Sequence, residues 1–366
     1  MKRILILTAG FGEGHNSAAR GIRDGLAQIA PGGAQVEVHD LFAETYGILN
    51  DLGRVTYLSV IDRAPEIWGV VYRWLDRERK FTGNFKVFFT LKHQLARLLA
   101  RFRPDVIVSV YPAYPHMLDE MLGRSAGADY KRVVLITDSI SVNAIWYRCS
   151  SDYFLLPNET SASVLHNAGI AAEKTRAFGF PVSPRFAEVN ETRLPPSEEH
   201  GRRVLYIVNG AKPMAPELVR RLARLPSIQL TVTTGRDARL FRAIEQVRES
   251  IGRSFEIIDW SDDLPRLLRS AHVVISKAGG ATVQEAIAAS CPMIINHIIP
   301  GQEEGNARLI TETNSGAIAS THDEVIKQVE RMFADDAAVW RTWSANVAQL
   351  SRPAASLEIA QFLISL

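Results

Sequence analysis

Only two cysteines, Cys149 and Cys291, occur in 366 residues, and they lie far apart in mainly apolar runs. That excludes a disulfide framework and fits two unpaired, buried thiols in a reducing compartment. Long apolar runs are also lacking. No stretch approaches the roughly 20 apolar residues that span a bilayer. The start, MKRILILTAG, is basic, but its apolar run stops at Thr8, too short for the core of a signal peptide. The expected location is therefore cytoplasmic. Nor is there an excess of charge of one sign: the formal net charge is +2 with 22% charged residues. The global balance names no partner, and no nucleic acid is expected to bind. Short-period repeats and low-complexity tracts are missing too.

What is present is ordinary globular material, 46% hydrophobic, in a chain long enough for two cores. Short apolar runs alternate with helical patterns throughout, the mark of βαβ units and parallel sheets. Strands are expected at residues 3–8, 36–39, 106–110, 133–137 and 153–156, and again at 204–208, 228–233, 255–258, 273–276 and 293–296. Between the two series, residues 184–203 carry Pro195, Pro196 and the charged run SEEHGRR, the strongest linker signal in the chain. The reading is an α/β protein with domains at 1–183 and 203–350, a linker at 184–202 and a closing helix at 351–366. Two doubly wound halves on one linker imply a cleft that both face, since ligands of open α/β sheets bind beyond the C-terminal strand ends.

The first strand runs directly into AGFGEGHNSAARGIRDGL, where Gly10, Gly12 and Gly14 precede a helix expected from Asn16 or Ser17. Glycines let backbone approach a ligand, and the helix N-terminus attracts anions. A dinucleotide fingerprint is the rival reading, with Asp40 after the second strand on a ribose. It is weak, because His15 stands where GxGxxG needs its third glycine. At a helix N-terminus the macrodipole keeps an imidazole neutral, so His15 is a candidate base as well as a candidate structural histidine.

A sharper signal is VVISKAGGATVQEAIAASCPMIINHIIPGQEEGNARLI, residues 273–310. A strand ends at Ser276, Gly279 and Gly280 make a turn, and a helix over 282–289 presents amides suited to a diphosphate. Thr282 and Glu285 also fit a capping box, a purely structural role for Glu285. The alternative is that the Glu285 carboxylate accepts hydrogen bonds from a ribose diol. After the next strand, PGQEEGN offers Gln302 and Glu303, which suit sugar hydroxyls; a solvated polar loop is the bland alternative.

These stretches resemble glycosyltransferases of the GT-B fold, specifically the group of monogalactosyldiacylglycerol synthases and processive diacylglycerol glucosyltransferases, with MurG more distant. GFGEGHNSAA resembles the family's N-terminal glycine-histidine loop. ITDSISVNAIWYRCSSDYFLLPNE, residues 136–159, resembles its threonine-aspartate and tryptophan block, and FGFPVSPRF its linker approach. IIDWSDDLPRLLRSAHVVISKAGGATVQEA with PGQEEGNA resembles its donor site. The resemblance implies two Rossmann-like domains, a UDP-sugar donor, a lipid acceptor such as diacylglycerol, and inversion in one displacement with no cofactor and no bound metal. By it, Gly279, Gly280, Ala281 and Thr282 hold the diphosphate and Glu285 the ribose. Gln302 and Glu303 meet the sugar, and the segment at Asp259 and Trp260 lies against uracil. His15 lies near the attacked hydroxyl, with Asp138 as the other candidate base. Gly12, Gly14 and Gly210 complete the candidate ligand-binding positions.

Two departures touch the expected cleft. Asn143 stands where the family has a histidine, and the loop after the first strand of the second domain reads VNGAKPMAPEL, with Gly210 alone. They keep open transfer to a soluble acceptor, epimerisation, and sugar-nucleotide or lipid binding without turnover; a dehydrogenase leaves the second glycine loop unexplained. Residues 54–103 carry nine aromatics that include Tyr57, Trp68, Trp74 and Phe89, with 11 Lys/Arg against 4 Asp/Glu. That composition suits an interfacial helix among anionic headgroups on the inner face of the cell membrane. It also suits an amphipathic helix pair over one face of the sheet.

Overall fold

A computed structural model describes residues 1–11, 13–47, 89–123, 130–188, 193–197, 201–210, 212–261, 263–300 and 303–366. They divide into two compact units. The first comprises Met1–Pro184, Ile299–Gly305 and Ala354–Leu366; the second comprises Arg185–Ile298 and Asn306–Pro353.

The first unit is built on a six-stranded sheet of β1 (Lys2–Leu7), β2 (Ala34–His39), β3 (Val106–Ser109), β4 (Lys131–Leu135), β5 (Tyr153–Leu155) and β6 (Thr175–Arg176), in the order β2-β1-β3-β4-β5-β6. Every pairing is parallel. Parallel strands covered on both faces read as continuous apolar runs, and VIVS of β3 is buried at all four positions. The second unit repeats the plan with β7 (Arg202–Ile207), β8 (Ile228–Thr233), β9 (Glu256–Ile258), β10 (Val273–Lys277), β11 (Met293–His297) and β12 (Gly316–Ile318), ordered β12-β11-β10-β7-β8-β9 and again all parallel. All ten expected strands are present with ends within two residues. β6 and β12, of two and three residues, are strands that the apolar pattern does not mark.

Strand order places the sites. In the first sheet β2 lies on one side of β1 and β3 on the other, so the chain changes direction between β1 and β3. In the second sheet the change falls between β7 and β10. Loops leaving a parallel sheet on either side of such a switch diverge and leave a crevice at the C-terminal strand ends.

Helix α1 (Glu13–Ile29) begins earlier than its glycines suggested, and it packs against α14 (Ala355–Ser365) inside the first unit. Gly25 makes that approach possible: a Cβ there would lie 2.5 Å from Ser356 O, and at Gly21 only 1.9 Å from Pro181 O. The closing helix thus belongs to the N-terminal unit, burying Ile359, Ala360 and Leu363.

Between β2 and β3, α2 (Leu41–Tyr46) and α3 (Phe89–Phe102) cover one face of the sheet. Leu91, Leu95, Leu98 and Phe102 of α3 are buried. This part of the aromatic, basic stretch is an amphipathic cover, and residues 48–88 lie outside the described residues. Among the described residues, no helix is long and apolar enough to cross a membrane. Both cysteines are free thiols; Cys291 is buried as expected, whereas Cys149 is partly open.

Candidate functional site

The chain leaving β1 is fixed before it enters α1. The Gly10 N–H donates to Asp40 Oδ2 at 2.7 Å, and the Thr8 hydroxyl donates to Asn16 Oδ1 at 3.0 Å. The other Asp40 oxygen caps α2 by accepting from Ala43 N at 3.0 Å. Asp40 is therefore engaged by backbone at both oxygens, tying the glycine loop to the start of α2. Gly14 lies in the first turn of α1; Gly12 lies outside the described residues.

His15 is the third residue of α1. Its Nδ1 lies 3.2 Å from Thr137 Oγ1. The ring stands edge-on to Tyr111, centroids 5.3 Å apart, and tilts against Trp146 at 5.9 Å. Tyr111 follows β3, so His15 and Tyr111 come from the two loops flanking the switch of the first sheet. Burial pushes the imidazole down to about 4, with a backbone hydrogen bond at Val110 acting the other way. The ring is neutral at pH 7, and desolvation is the largest cause.

Asp138 follows β4. Its Oδ2 accepts the Trp146 indole N–H at 2.9 Å and, more loosely, the Asn143 backbone N–H at 3.5 Å. Asn143 has a local task. Its Oδ1 caps the short 3₁₀ turn Ala144–Trp146 through Ile145 N at 3.0 Å, the turn that carries Trp146. Thr137, Asp138, Asn143 and Trp146 thus form one framework beside His15, and Thr137 and Trp146 join the candidates read from the sequence.

At the switch of the second sheet stand the loops after β7 and β10. Helix α10 (Gly280–Ala288) starts with Gly279 as its N-cap residue and no side-chain cap. The capping box expected of Thr282 and Glu285 is therefore not formed, because the helix begins one half-turn earlier and Thr282 sits at its third position. The amides of Gly280, Ala281 and Thr282 form the first turn of a helix whose dipole favours an anion. Glu285, one turn on, is partly open.

One side chain ties the two loops together. Asn209, just after β7, donates from Nδ2 to Thr282 Oγ1 at 3.3 Å, and its Oδ1 accepts from Ser276 Oγ at 2.9 Å and Lys277 N at 3.3 Å. Asn306 Nδ2 holds the Ala278 carbonyl at 3.0 Å, next to the glycine turn. The β10 register shifts between Ser276 and Lys277, the kind of irregularity found beside sites. Gly210 is hemmed in: a Cβ there would lie 3.2 Å from both His297 Cδ2 and Lys277 Cδ. The sequence reading dwelt on the glycine and passed over Asn209, the residue that makes the connections.

Trp260 lies two residues beyond β9 and is 53% exposed. It lies apart from the glycine turn, since β8 and β7 stand between β9 and β10, about 14 Å at the usual strand spacing. Glu303 is 4% exposed, and its Oε2 accepts from Ile299 N at 3.0 Å, so at least one oxygen serves its own loop, within the first unit. Gln302 lies outside the described residues.

Two parallel doubly wound units, each with its polar cluster at the switch of its sheet, define the class of fold as GT-B, and the family models that match the two units are those of glycosyltransferases. The monogalactosyldiacylglycerol (MGDG) synthase family model matches residues 15–182, and the glycosyltransferase family 28 C-terminal domain matches residues 206–349. Among curated relatives, processive diacylglycerol beta-glucosyltransferase of Bacillus subtilis (strain 168) is 24% identical over 353 residues, covering 93% of this chain and 89% of the relative. Probable monogalactosyldiacylglycerol synthase 2, chloroplastic, of Oryza sativa subsp. indica is 26% identical over 381 residues, covering 98% and 80%. Among solved structures, Acinetobacter baumannii MurG superposes with a TM-score of 0.64 at 15% identity over 100% of both chains, a likeness of fold. Within the GT-B glycosyltransferases, the chain resembles the MGDG synthases and the processive diacylglycerol glucosyltransferases.

Proposed function

We propose that the protein transfers a hexose from a UDP-sugar to the hydroxyl of a diacylglycerol-type lipid, with inversion at the anomeric carbon. The observation that supports this reading most is the matched chemistry of the two switch points. The first sheet presents a neutral imidazole, and the second presents a helix N-terminus without a side-chain cap. Relatives named for diacylglycerol glucosylation and monogalactosyldiacylglycerol synthesis supply the acceptor class.

In this reading the first turn of α10 holds the diphosphate and Glu285 accepts hydrogen bonds from the ribose diol. Gln302 and Glu303 are assigned to the donor sugar, Glu303 through whatever its loop leaves available. The acceptor hydroxyl oxygen attacks the anomeric carbon while His15 takes its proton. The bond from that carbon to the diphosphate oxygen breaks, and UDP leaves with the electron pair. Asp138, engaged by Trp146, orients the indole beside His15. The donor is a substrate, and the reaction uses no cofactor.

Such an acceptor draws the enzyme to the cytoplasmic face of a membrane. Residues 54–103 are assigned to anionic headgroups on composition; of the described part, α3 leaves Phe89 76% exposed.

The test is product formation from UDP-glucose and UDP-galactose, each with and without diacylglycerol in mixed micelles. Lipid-dependent glycolipid from either donor supports the reading and names the sugar. Turnover that ignores lipid, or UDP binding without transfer, overturns it in favour of a soluble acceptor or a binding protein.

A further inference from the structure

The ladder between β7 and β10 ends with Tyr206 opposite Ile275, short of the glycine turn. Beyond that rung, side chains join the two loops. The Ser276 hydroxyl lies 3.1 Å from Ile207 O and 2.9 Å from Asn209 Oδ1. Lys277 N donates to the same Oδ1 at 3.3 Å, and Asn209 Nδ2 reaches Thr282 Oγ1 at 3.3 Å. Asn209 thus stands where the next rung would be, its own N–H turned back to Ile207 O at 3.1 Å.

One group sets the direction of the protons in this chain. A backbone N–H only donates, so the Asn209 atom facing Lys277 N is the amide oxygen, and the atom facing Thr282 is the amide nitrogen. An NH₂ group also only donates, so the Thr282 hydroxyl accepts there. Its own proton must leave in another direction, and among the described residues it meets no acceptor. Thr282 is the third residue of α10, behind a glycine N-cap residue that offers no side-chain cap. The amides of Gly280, Ala281 and Thr282 lack intrahelical partners in that same turn. Three amides and one hydroxyl proton are therefore gathered at one helix start.

We propose that Asn209 is a positioning residue for the donor diphosphate: by donating to Thr282 Oγ1 it commits the hydroxyl proton to an ionised phosphate oxygen at the start of α10. The inference rests on the donor-site reading and gives the loop after β7 a task within it. An ionised phosphate oxygen only accepts, which is what such a set of donors selects.

The isosteric change Asn209→Asp tests this. One carboxylate oxygen still accepts from Lys277 N and Ser276 Oγ, so the loops stay tied, but the other accepts the Thr282 proton and turns it from the phosphate. Calorimetric titration with UDP, with thermal melting beside it, compares the wild type, Thr282→Ser, Thr282→Val, Asn209→Asp and the double variant of the last two. Thr282→Val should weaken UDP about tenfold, the scale of a hydrogen bond to a charged group, and Thr282→Ser should keep wild-type affinity. Asn209→Asp should weaken UDP about tenfold or more, because a negative charge is added to the lost bond. In the Thr282→Val background no hydroxyl is left to turn, so the Asn209→Asp loss should shrink at least about threefold. Asn209→Ala, which releases the hydroxyl without adding charge, should lose about two- to fivefold and show the same dependence on Thr282. A wild type that does not bind UDP sinks the donor-site reading and this inference with it. A wild type that binds UDP, with Asn209 and Thr282 losses that simply multiply in both double variants, makes Asn209 a structural tie and overturns the inference alone. Wild-type affinity in Asn209→Asp does the same.

Discussion

The indole N–H of Trp146 donates to Asp138 Oδ2 at 2.9 Å, and the same indole lies 5.9 Å from the His15 ring. A carboxylate engaged in this way serves the framework around the imidazole. In the proposed mechanism His15 takes the proton and Asp138 holds the indole beside it. Trp146→Phe keeps the ring and removes the donor. Turnover should fall roughly tenfold, equivalent to about 1.4 kcal/mol on the barrier, with UDP affinity unchanged. Steady-state kinetics alongside UDP titration checks this; a wild-type kcat would return Asp138 and Trp146 to packing alone.

Glu285 is relieved of its capping role, since Gly279 is the N-cap residue of α10. Glu285→Ala should therefore weaken UDP by about 1–3 kcal/mol, the range for a hydrogen bond to a charged group, beyond any change in the thermal midpoint. Calorimetry and thermal melting on the same preparation separate the two. A destabilised fold with unchanged UDP affinity would refute the ribose assignment.

Stability should fall with acid through two histidines. Burial holds both His15 and His272 down to about 4, against 6.5 for the free group; for His272 the Leu194 backbone hydrogen bond acts upwards while the nearby Arg203 and Arg193 charges act downwards. Between pH 6.5 and 4 the unfolded chain binds more protons at these sites than the folded one. Their contribution is thus fully present above about 6.5 and is lost as pH falls towards 4. Each group contributes at most about 1.4 kcal/mol per pH unit. Urea midpoints measured from pH 8 to pH 4 should show this slope, and His15→Asn should roughly halve the histidine part. A midpoint independent of pH across that window would contradict the buried, neutral assignment.

Arg193 is the strongest stability prediction. Its buried guanidinium donates to four carbonyls: Leu268 and Arg269 at the end of helix α9 (Leu264–Ser270), and Ala289 and Ser290 just past α10, at 2.7–3.2 Å. Helix C-termini leave such carbonyls without intrahelical partners and favour a cation. Arg193→Met should cost about 1–3 kcal/mol of unfolding free energy, read as a lower urea midpoint, and Arg193→Lys should cost less. Equal midpoints in wild type and Arg193→Met would deny the clamp.

The parallel sheets were legible because buried parallel strands are short apolar runs, and all ten expected strands are present. The glycine turn at Gly279 and Gly280 was legible for the same local reason. What the sequence concealed depends on strand order. Asn209 and Thr282 are 73 residues apart and meet only because β7 and β10 are neighbours. Local pattern also misplaced the helix starts. Glycine in the first turn reads as loop, so α1 and α10 begin earlier than expected and the apparent capping box is not one. The helix start at His15 was legible, whereas its ring contacts with Tyr111 and Trp146 are tertiary and no spacing announces them.

The most direct measurement is the rate of glycolipid formation by His15→Ala, beside its affinity for UDP. Transfer slowed by roughly two to four orders of magnitude, with wild-type UDP affinity, is the predicted result: the first unit supplies the base and the second holds the donor. A wild-type rate in His15→Ala would contradict the account.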